Sequence, residues 1–174
     1  MPIIESSNNP GLLEYRGSGV PSAGTDEVQT LTFGGTWLAG ETFKLSFGGF
    51  TTAAISWSAT NNTLRDNIDT ALEALPTIGT GGITTAVGTM TAGLGTITVT
   101  FAGNLAKKAV ATIGVANNGS ASGTLAIAET TPGVDASFRG ASIGATYKDI
   151  TNGKLYINTG TALAPVWTVV GTQS

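Results

Sequence analysis

The stretch Asn62-Thr-Leu-Arg-Asp-Asn-Ile-Asp-Thr-Ala-Leu-Glu-Ala-Leu75, closed by Pro76, decides the fold. Leu64, Ile68, Ala71, Leu72 and Leu75 recur at helical spacing, so a helix over 62–75 carries a single apolar stripe. Asn62 or Thr63 is expected to cap the first turn, Thr63 and Asp66 are spaced as a capping box, and the ring of Pro76 cannot continue the ladder. No other stretch has this spacing. The stripe must therefore pack on a sheet, which predicts a mainly β fold: a β-sandwich-like α+β core with one helix.

On either side of the helix the period changes from helical to alternating. E-V-Q-T-L-T-F at 27–33 sets Gln29, Leu31 and Phe33 against Val28, Thr30 and Thr32, and E-T-F-K-L-S-F at 41–47 sets Phe43, Leu45 and Phe47 on one face. F-T-T-A-A-I-S-W at 50–57 suits a third strand. After the joint following Pro76, I-T-T-A-V-G-T-M at 83–90 and L-G-T-I-T-V-T-F at 94–101 form a hairpin pair, and shorter strands are expected at 109–115 and 123–128 around Asn117-Asn118-Gly119. Pro132-Gly133 closes this block.

Beyond it, A-T-Y-K-D-I, T-N-G-K, L-Y-I-N-T-G-T and V-W-T-V-V-G predict a C-terminal three-stranded β-meander over 134–174. Asn152-Gly153 is expected to make a type I′ turn, placing Ile150 opposite Leu155 and Asp149 opposite Tyr156. Residues 1–25 hold Pro2, Pro10 and Pro21 and four glycines, which argue against a helix or a central strand and predict an extended N-terminal arm. Its isolated apolar residues Ile3, Ile4, Leu12, Leu13, Tyr15 and Val20 either dock on a neighbour or belong to a frayed terminus. The expected organisation is thus an arm over 1–25, a β-rich core over 26–133 with helix 62–75, and the meander.

Charged residues are 11% of the 174, less than half of the roughly 25% usual for a globular domain, while 41% are apolar and the net charge is only -3. Such a chain folds, and its weak self-repulsion tolerates close neighbours, which points to assembly. There is no cysteine and no histidine, which removes disulfides, thiolate metal sites, the commonest zinc ligands and every Cys or His triad. The start of the sequence has no basic-then-apolar signal segment and no run long enough to span a membrane, so a soluble, non-exported chain is expected. The eight Lys and Arg are scattered, with only Lys107 and Lys108 adjacent, and make no phosphate-binding stripe. Neither nucleic acid nor membrane is an expected partner.

Candidate chemistry thins out on inspection. Asp66, Asp69 and Glu73 share a helix face but read as its solvated side. Asp26-Glu27 lacks the loop of a calcium site, and the only Gly-Lys pair, Gly153-Lys154, lies in a hairpin and not in a phosphate-binding loop. Gly140-Ala141-Ser142-Ile143-Gly144 matches a nucleophile elbow in letters, yet a strand follows where a helix is required. Asn61-Asn62-Thr63 and Asn118-Gly119-Ser120 read as cap and turn. Trp37, Trp57 and Trp167 with Tyr15, Tyr147 and Tyr156 could stack on sugars, or serve as core. No catalytic, cofactor-binding or metal-binding residue is predicted, and no enzyme.

The block from Glu27 to about Glu129, with E-V-Q-T-L-T-F, G-E-T-F-K-L-S-F-G-G-F-T-T, L-R-D-N-I-D-T-A-L-E-A-L-P-T-I-G and G-T-I-T-V-T-F-A-G-N-L-A in that order, resembles a module of tailed-bacteriophage structural proteins and some bacterial surface proteins. The tail, G-A-T-Y-K-D-I-T-N-G-K-L-Y-I-N-T-G-T then P-V-W-T-V-V-G, is similar to the short meander of phage head-fibre and tail-fibre proteins. Residues 79–85 depart from the module's usual form, in which an Asn often precedes the next strand. The resemblance implies a virion protein made in the host cytoplasm: a capsid decoration (cement) protein on the outer surface of a head, partnered by the major capsid protein and by copies of itself, as a trimer. On that reading Ile3, Ile4, Leu12, Leu13 and Tyr15 are the arm's capsid contacts. The alternative is a tail-fibre or receptor- and glycan-binding module.

Overall fold

The computed structural model describes residues 3–6 and 13–171. In chain order the elements are β1 (Ile3–Ser6), β2 (Leu13–Gly17), β3 (Val28–Thr36), β4 (Thr42–Phe47), β5 (Phe50–Thr51), β6 (Ile55–Ser56), α1 (Asn61–Glu73), β7 (Ile83–Thr91), β8 (Leu94–Phe101), β9 (Gly114–Asn118), β10 (Ser122–Thr131), β11 (Thr146–Asp149), β12 (Leu155–Asn158) and β13 (Trp167–Val169). The chain divides into two compact units, one of Asp26–Gly133 and one of Met1–Thr25 with Val134–Ser174.

The Asp26–Gly133 unit holds an antiparallel sheet in the order β10-β3-β8-β7 and a smaller sheet β5-β4-β6 with β9 also pairing β4. The alternation read from the sequence places the core: Leu31 and Phe33 of β3, Phe43, Leu45 and Phe47 of β4, and Ile97, Val99 and Phe101 of β8 are all buried in one cluster. Phe33 meets Phe43 with ring centres 5.4 Å apart, and Phe47 meets Phe101 at 5.3 Å, so the inner faces of the two sheets interlock. The helix stripe closes this core, with Leu64, Ile68 and Leu72 fully buried and Leu75 nearly so. The mainly β fold with one helix is the fold observed.

Helix α1 begins at Asn61, and its N-cap, Thr60, makes no side-chain cap bond, so neither Asn62 nor Thr63 caps it. Asn61 works across the fold: its Nδ2 donates to Met90 O (3.1 Å) and its Oδ1 accepts from Gly93 N (2.9 Å), fastening the helix start to the β7–β8 turn. That turn is Ala92-Gly93, both at positive φ (49° and 77°), which is what a two-residue hairpin between right-twisted strands needs. A Cβ on Gly93 would sit 2.4 Å from Ser58 O and 2.7 Å from the Trp57 ring, so glycine is required there for space as well.

The strand expected over 109–115 starts only at Gly114, because the side chains of Glu27, just before β3, and Gln29, within it, take over the backbone pairing before it. Glu27 and Gln29 are buried, and Gln29 Nε2 donates to Glu27 Oε1 and to Ala111 O (3.1 Å). Val110 N donates to Glu27 Oε2 and Ile113 N to Gln29 Oε1, each at 2.8 Å. A segment whose donors and acceptors are met by carboxylate and amide groups needs no strand partner.

The second unit contains the meander β11-β12-β13, extended to five strands in the order β1-β2-β11-β12-β13. The arm expected over 1–25 therefore contributes strands: β1 pairs β2 antiparallel, and β2 pairs β11 in parallel, with Tyr15 beside Tyr147. Pro2, Pro10 and Pro21 all lie outside β1 and β2, which is why they do not prevent the pairing. A parallel pair needs a long crossover, and residues 26–133 supply it. Thr25 and Val134 exchange two backbone hydrogen bonds (2.9 and 3.0 Å) where that crossover leaves and returns.

The β11–β12 register also differs from the expected one. Tyr147 pairs Tyr156 and Lys148 pairs Leu155, two residues short of a two-residue Asn152-Gly153 turn. Asp149 is the cause. Its buried carboxylate accepts from Thr151 N (2.9 Å), Asn152 N (3.2 Å), Asn152 Nδ2 (2.7 Å) and Gly19 N (3.1 Å), which holds residues 150–153 as a four-residue turn. A shift of two preserves the faces, so Tyr147 and Tyr156 still point into the same core.

Candidate functional site

The sequence-predicted groups do not converge on a reactive centre. Of the three helix carboxylates, Asp66 pairs with its neighbour Arg65, Asp69 accepts from Thr85 Oγ1 (2.9 Å), and Glu73 accepts from Gly81 N (2.7 Å). Asp69 ties the helix to β7 and Glu73 ties it to the turn that follows, whereas the Asp66–Arg65 pair lies within the helix. Asp26 is engaged with Lys107, through the backbone N–H (2.7 Å) and the ammonium (3.3 Å). Ser142 lies exposed in the loop before β11, not between a strand and a helix. Among the described residues no group of three His, Cys, Asp or Glu side chains is placed to hold a metal ion, and no helix is long and apolar enough to cross a membrane.

The aromatic residues serve the interior. Trp37 is buried and lies parallel to half-buried Trp57, with ring centres 6.3 Å apart. The indole N–H groups of Trp37, Trp57 and Trp167 donate to Gly34 O (3.1 Å), Gly93 O (3.3 Å) and Ser137 O (3.1 Å). Tyr15, Tyr147 and Tyr156 are buried in the second unit, and the Tyr147 hydroxyl donates to Gly19 O (3.0 Å). Burial raises the Tyr147 phenol pKa, with the negative charge of Asp149 and the neighbouring Tyr156 adding to it. Asp149 moves the other way: the Asn152 amide donor dominates, burial opposes it, and the backbone N–H groups of Asn152, Gly19 and Thr151 add to the lowering. The Glu41 carboxyl is also lowered, first by Leu38 N–H and then by the Ser120 hydroxyl, against some desolvation and with help from Ala121 N–H.

The five arm residues separate. Tyr15 is core, with its ring 4.8 Å from Phe138 and 6.1 Å from Trp167, so it is not available as an external contact. Ile3 and Ile4 lie in β1, the edge strand of the five-stranded sheet, and Leu13 opens β2. Leu12 lies outside the described residues.

What the structure does assemble is a surface. The face of β10-β3-β8-β7 turned away from the buried cluster forms rows across the sheet: Ala126, Thr32 and Thr96; then Ala128, Thr30, Thr98 and Ala86; then Val28, Thr100 and Thr84. In these rows no side chain is charged and none is larger than valine. The threonines are β-branched and stiff at χ1, and hydrogen bonds such as Thr98 Oγ1 to Ala86 O (3.4 Å) and Thr30 to Thr130 (3.1 Å between hydroxyls) use part of their polarity within the sheet. Such a face loses little entropy and desolvates little charge when it is covered. The second unit adds its own apolar exposure, with Val20, Ile143 and Ile150 each more than 60% exposed. Sequence reasoning missed this face, although its signal is the other half of the alternation that located the core: the residues between the buried ones are Thr and Ala where a solvated sheet would carry Lys and Glu.

No protein-family model and no curated protein matches the chain. Among solved structures it is similar to a chain of Mycobacterium phage Patience, with a TM-score of 0.42 and 13% identity over 86% of this chain. It spans 57% of the length of that phage chain.

Proposed function

We propose that this protein is a virion structural protein of a tailed phage, a decoration protein that binds the outer surface of the head and stabilises it without chemistry. The observation that carries this is the uncharged threonine and alanine face of β10-β3-β8-β7, a surface suited to being covered. The sequence resemblance of residues 27–129 and of the tail to phage structural proteins supports the same reading. Four strands at about 4.8 Å and seven residues at about 3.4 Å give that face roughly 460 Å², a little over half of the ~800 Å² per partner of a standard interface. Stable attachment then needs further contacts, which copies of the chain supply together; a trimer provides them by avidity.

The test is reconstitution on phage heads that lack the protein. Wild-type chain should bind and raise the temperature at which the heads rupture. Thr98→Lys combined with Thr32→Glu, two exchanges at surface positions, should fold normally and bind poorly, because each buries a charge. Undiminished binding of that variant would reject the face as the contact. Decoration of tails instead of heads in labelled micrographs, or binding to a glycan array, would transfer the protein to the fibre and receptor-binding reading.

A further inference from the structure

The chain has two Asn-Gly pairs, Asn118-Gly119 and Asn152-Gly153. We propose that Asn152 is a site of spontaneous deamidation, and that its conversion to a carboxylate loosens the turn built on Asp149.

In an Asn-Gly pair the glycine main-chain nitrogen can attack the asparagine Cγ. The N–Cγ bond forms, the Cγ–Nδ2 bond breaks, ammonia leaves, and the resulting five-membered imide is opened by water to aspartate or isoaspartate. Glycine permits this because no Cβ blocks the approach. The two pairs differ in how much room they leave. At Gly153 (φ 68°) an added Cβ would meet nothing within 4 Å, and the Gly153 N–H makes no hydrogen bond among the described residues. At Gly119 an added Cβ would lie 2.2 Å from Thr42 O. The amide of each asparagine is hydrogen-bonded, Asn118 Nδ2 to Gly123 O (2.8 Å) and Asn152 Nδ2 to Asp149 Oδ2 (2.7 Å), so the difference lies in the backbone: Asn118 is fixed at the end of β9, paired with Phe43. Ring closure requires the backbone to rotate, which the exposed 150–153 turn allows and the packed β9 end resists.

The consequence follows from what Asn152 touches. Its Nδ2 donates to Asp149 Oδ2 at 2.7 Å. Deamidation replaces that donor with a carboxylate facing a carboxylate, and the isoaspartate product adds a backbone methylene to the turn as well. Asp149 also anchors Gly19, just after β2, so the repulsion falls where the turn, β11 and the β2 exit are joined. The titratable groups around this point are Asp149 itself, the Tyr147 phenol, Lys148 in β11, Lys154 just before β12, and Arg16 of β2, which pairs Lys148.

The experiment uses the intact chain, held at pH 8 and 37 °C, digested with trypsin and weighed. Cleavage after Lys148 and Lys154 isolates residues 149–154, and Asn118 falls in the peptide of residues 109–139. Asn152 should gain the +1 Da mass about tenfold faster than Asn118, the ratio for a barrier difference of ~1.4 kcal/mol, with both rates converging in urea. Asn152→Asp should melt below wild type at pH 7 and recover part of the loss near pH 4, while Asn152→Ser should resist ageing. Equal rates at both sites in the folded chain would overturn the assignment. An Asn152→Asp melt equal to wild type would overturn the consequence. Neither result depends on whether the protein decorates a phage head.

Discussion

Replacing Gln29 by leucine tests how the core unit holds residues 109–113. The two side chains are close in volume, so the exchange leaves no large cavity, but it deletes three hydrogen bonds: to Ala111 O, from Ile113 N, and to Glu27 Oε1. Gln29 is fully buried, so water cannot replace them. Three orphaned groups at about 2 kcal/mol each, less about 3 kcal/mol gained by burying an apolar side chain, leave a net loss of about 3 kcal/mol. That is a large part of the ~5–15 kcal/mol that holds a domain together. Urea unfolding in a Trp167→Phe background reads it directly, because the remaining tryptophans, Trp37 and Trp57, lie in the same unit as Gln29. The midpoint should fall with the slope little changed. A loss under about 0.5 kcal/mol would refute the reasoning, since it would mean that the 109–113 backbone finds other partners at no cost.

Ile68→Ala, at the centre of the buried helix stripe, should cost about 2–5 kcal/mol in the same assay, whereas Leu38→Ala at an exposed site should stay within about 0.5 kcal/mol. Tyr15→Ala should destabilise the free protein by about 3 kcal/mol or more, because its ring fills the second unit's core; a variant as stable as wild type but weak in head binding would restore Tyr15 as an arm contact. Removing residues 1–24 should likewise unfold the β11–β13 sheet, visible as lost Trp167 fluorescence, and retention of that signal would show β2 to be dispensable. The pH dependence follows from Asp149 and Tyr147. The Asp149 pKa is lowered on folding, so its contribution is complete above about pH 4 and fades as the pH falls through the native value; that of Tyr147 is raised, so its contribution fades as the pH rises beyond about 10. Melts of Asp149→Asn should lose the acid limb of this plateau, and an unchanged acid limb would remove Asp149 as its source.

Local pattern carried much of the fold. The apolar stripe of residues 62–75, the Leu31-Phe33, Phe43-Leu45-Phe47 and Ile97-Val99-Phe101 alternations, and the β7–β8 hairpin were legible because helical and strand periods act between residues a few positions apart. The uncharged sheet face is the other half of the same alternation, but sequence reasoning named only the arm as a contact. Three features were settled only in the folded chain, each by a contact between distant residues. Tyr15 became core because β2 finds β11, more than a hundred residues away, and no local signal announces a parallel partner across an intervening unit. Residues 109–113 stayed out of the sheet because Glu27 and Gln29 satisfy their backbone first. The β11–β12 turn took four residues instead of two because the Asp149 carboxylate gathers donors from the turn and from Gly19 together. Period and propensity specify which face of an element is buried; which partner satisfies a buried polar group is decided by the tertiary structure, because that choice depends on the whole set of donors and acceptors brought within reach.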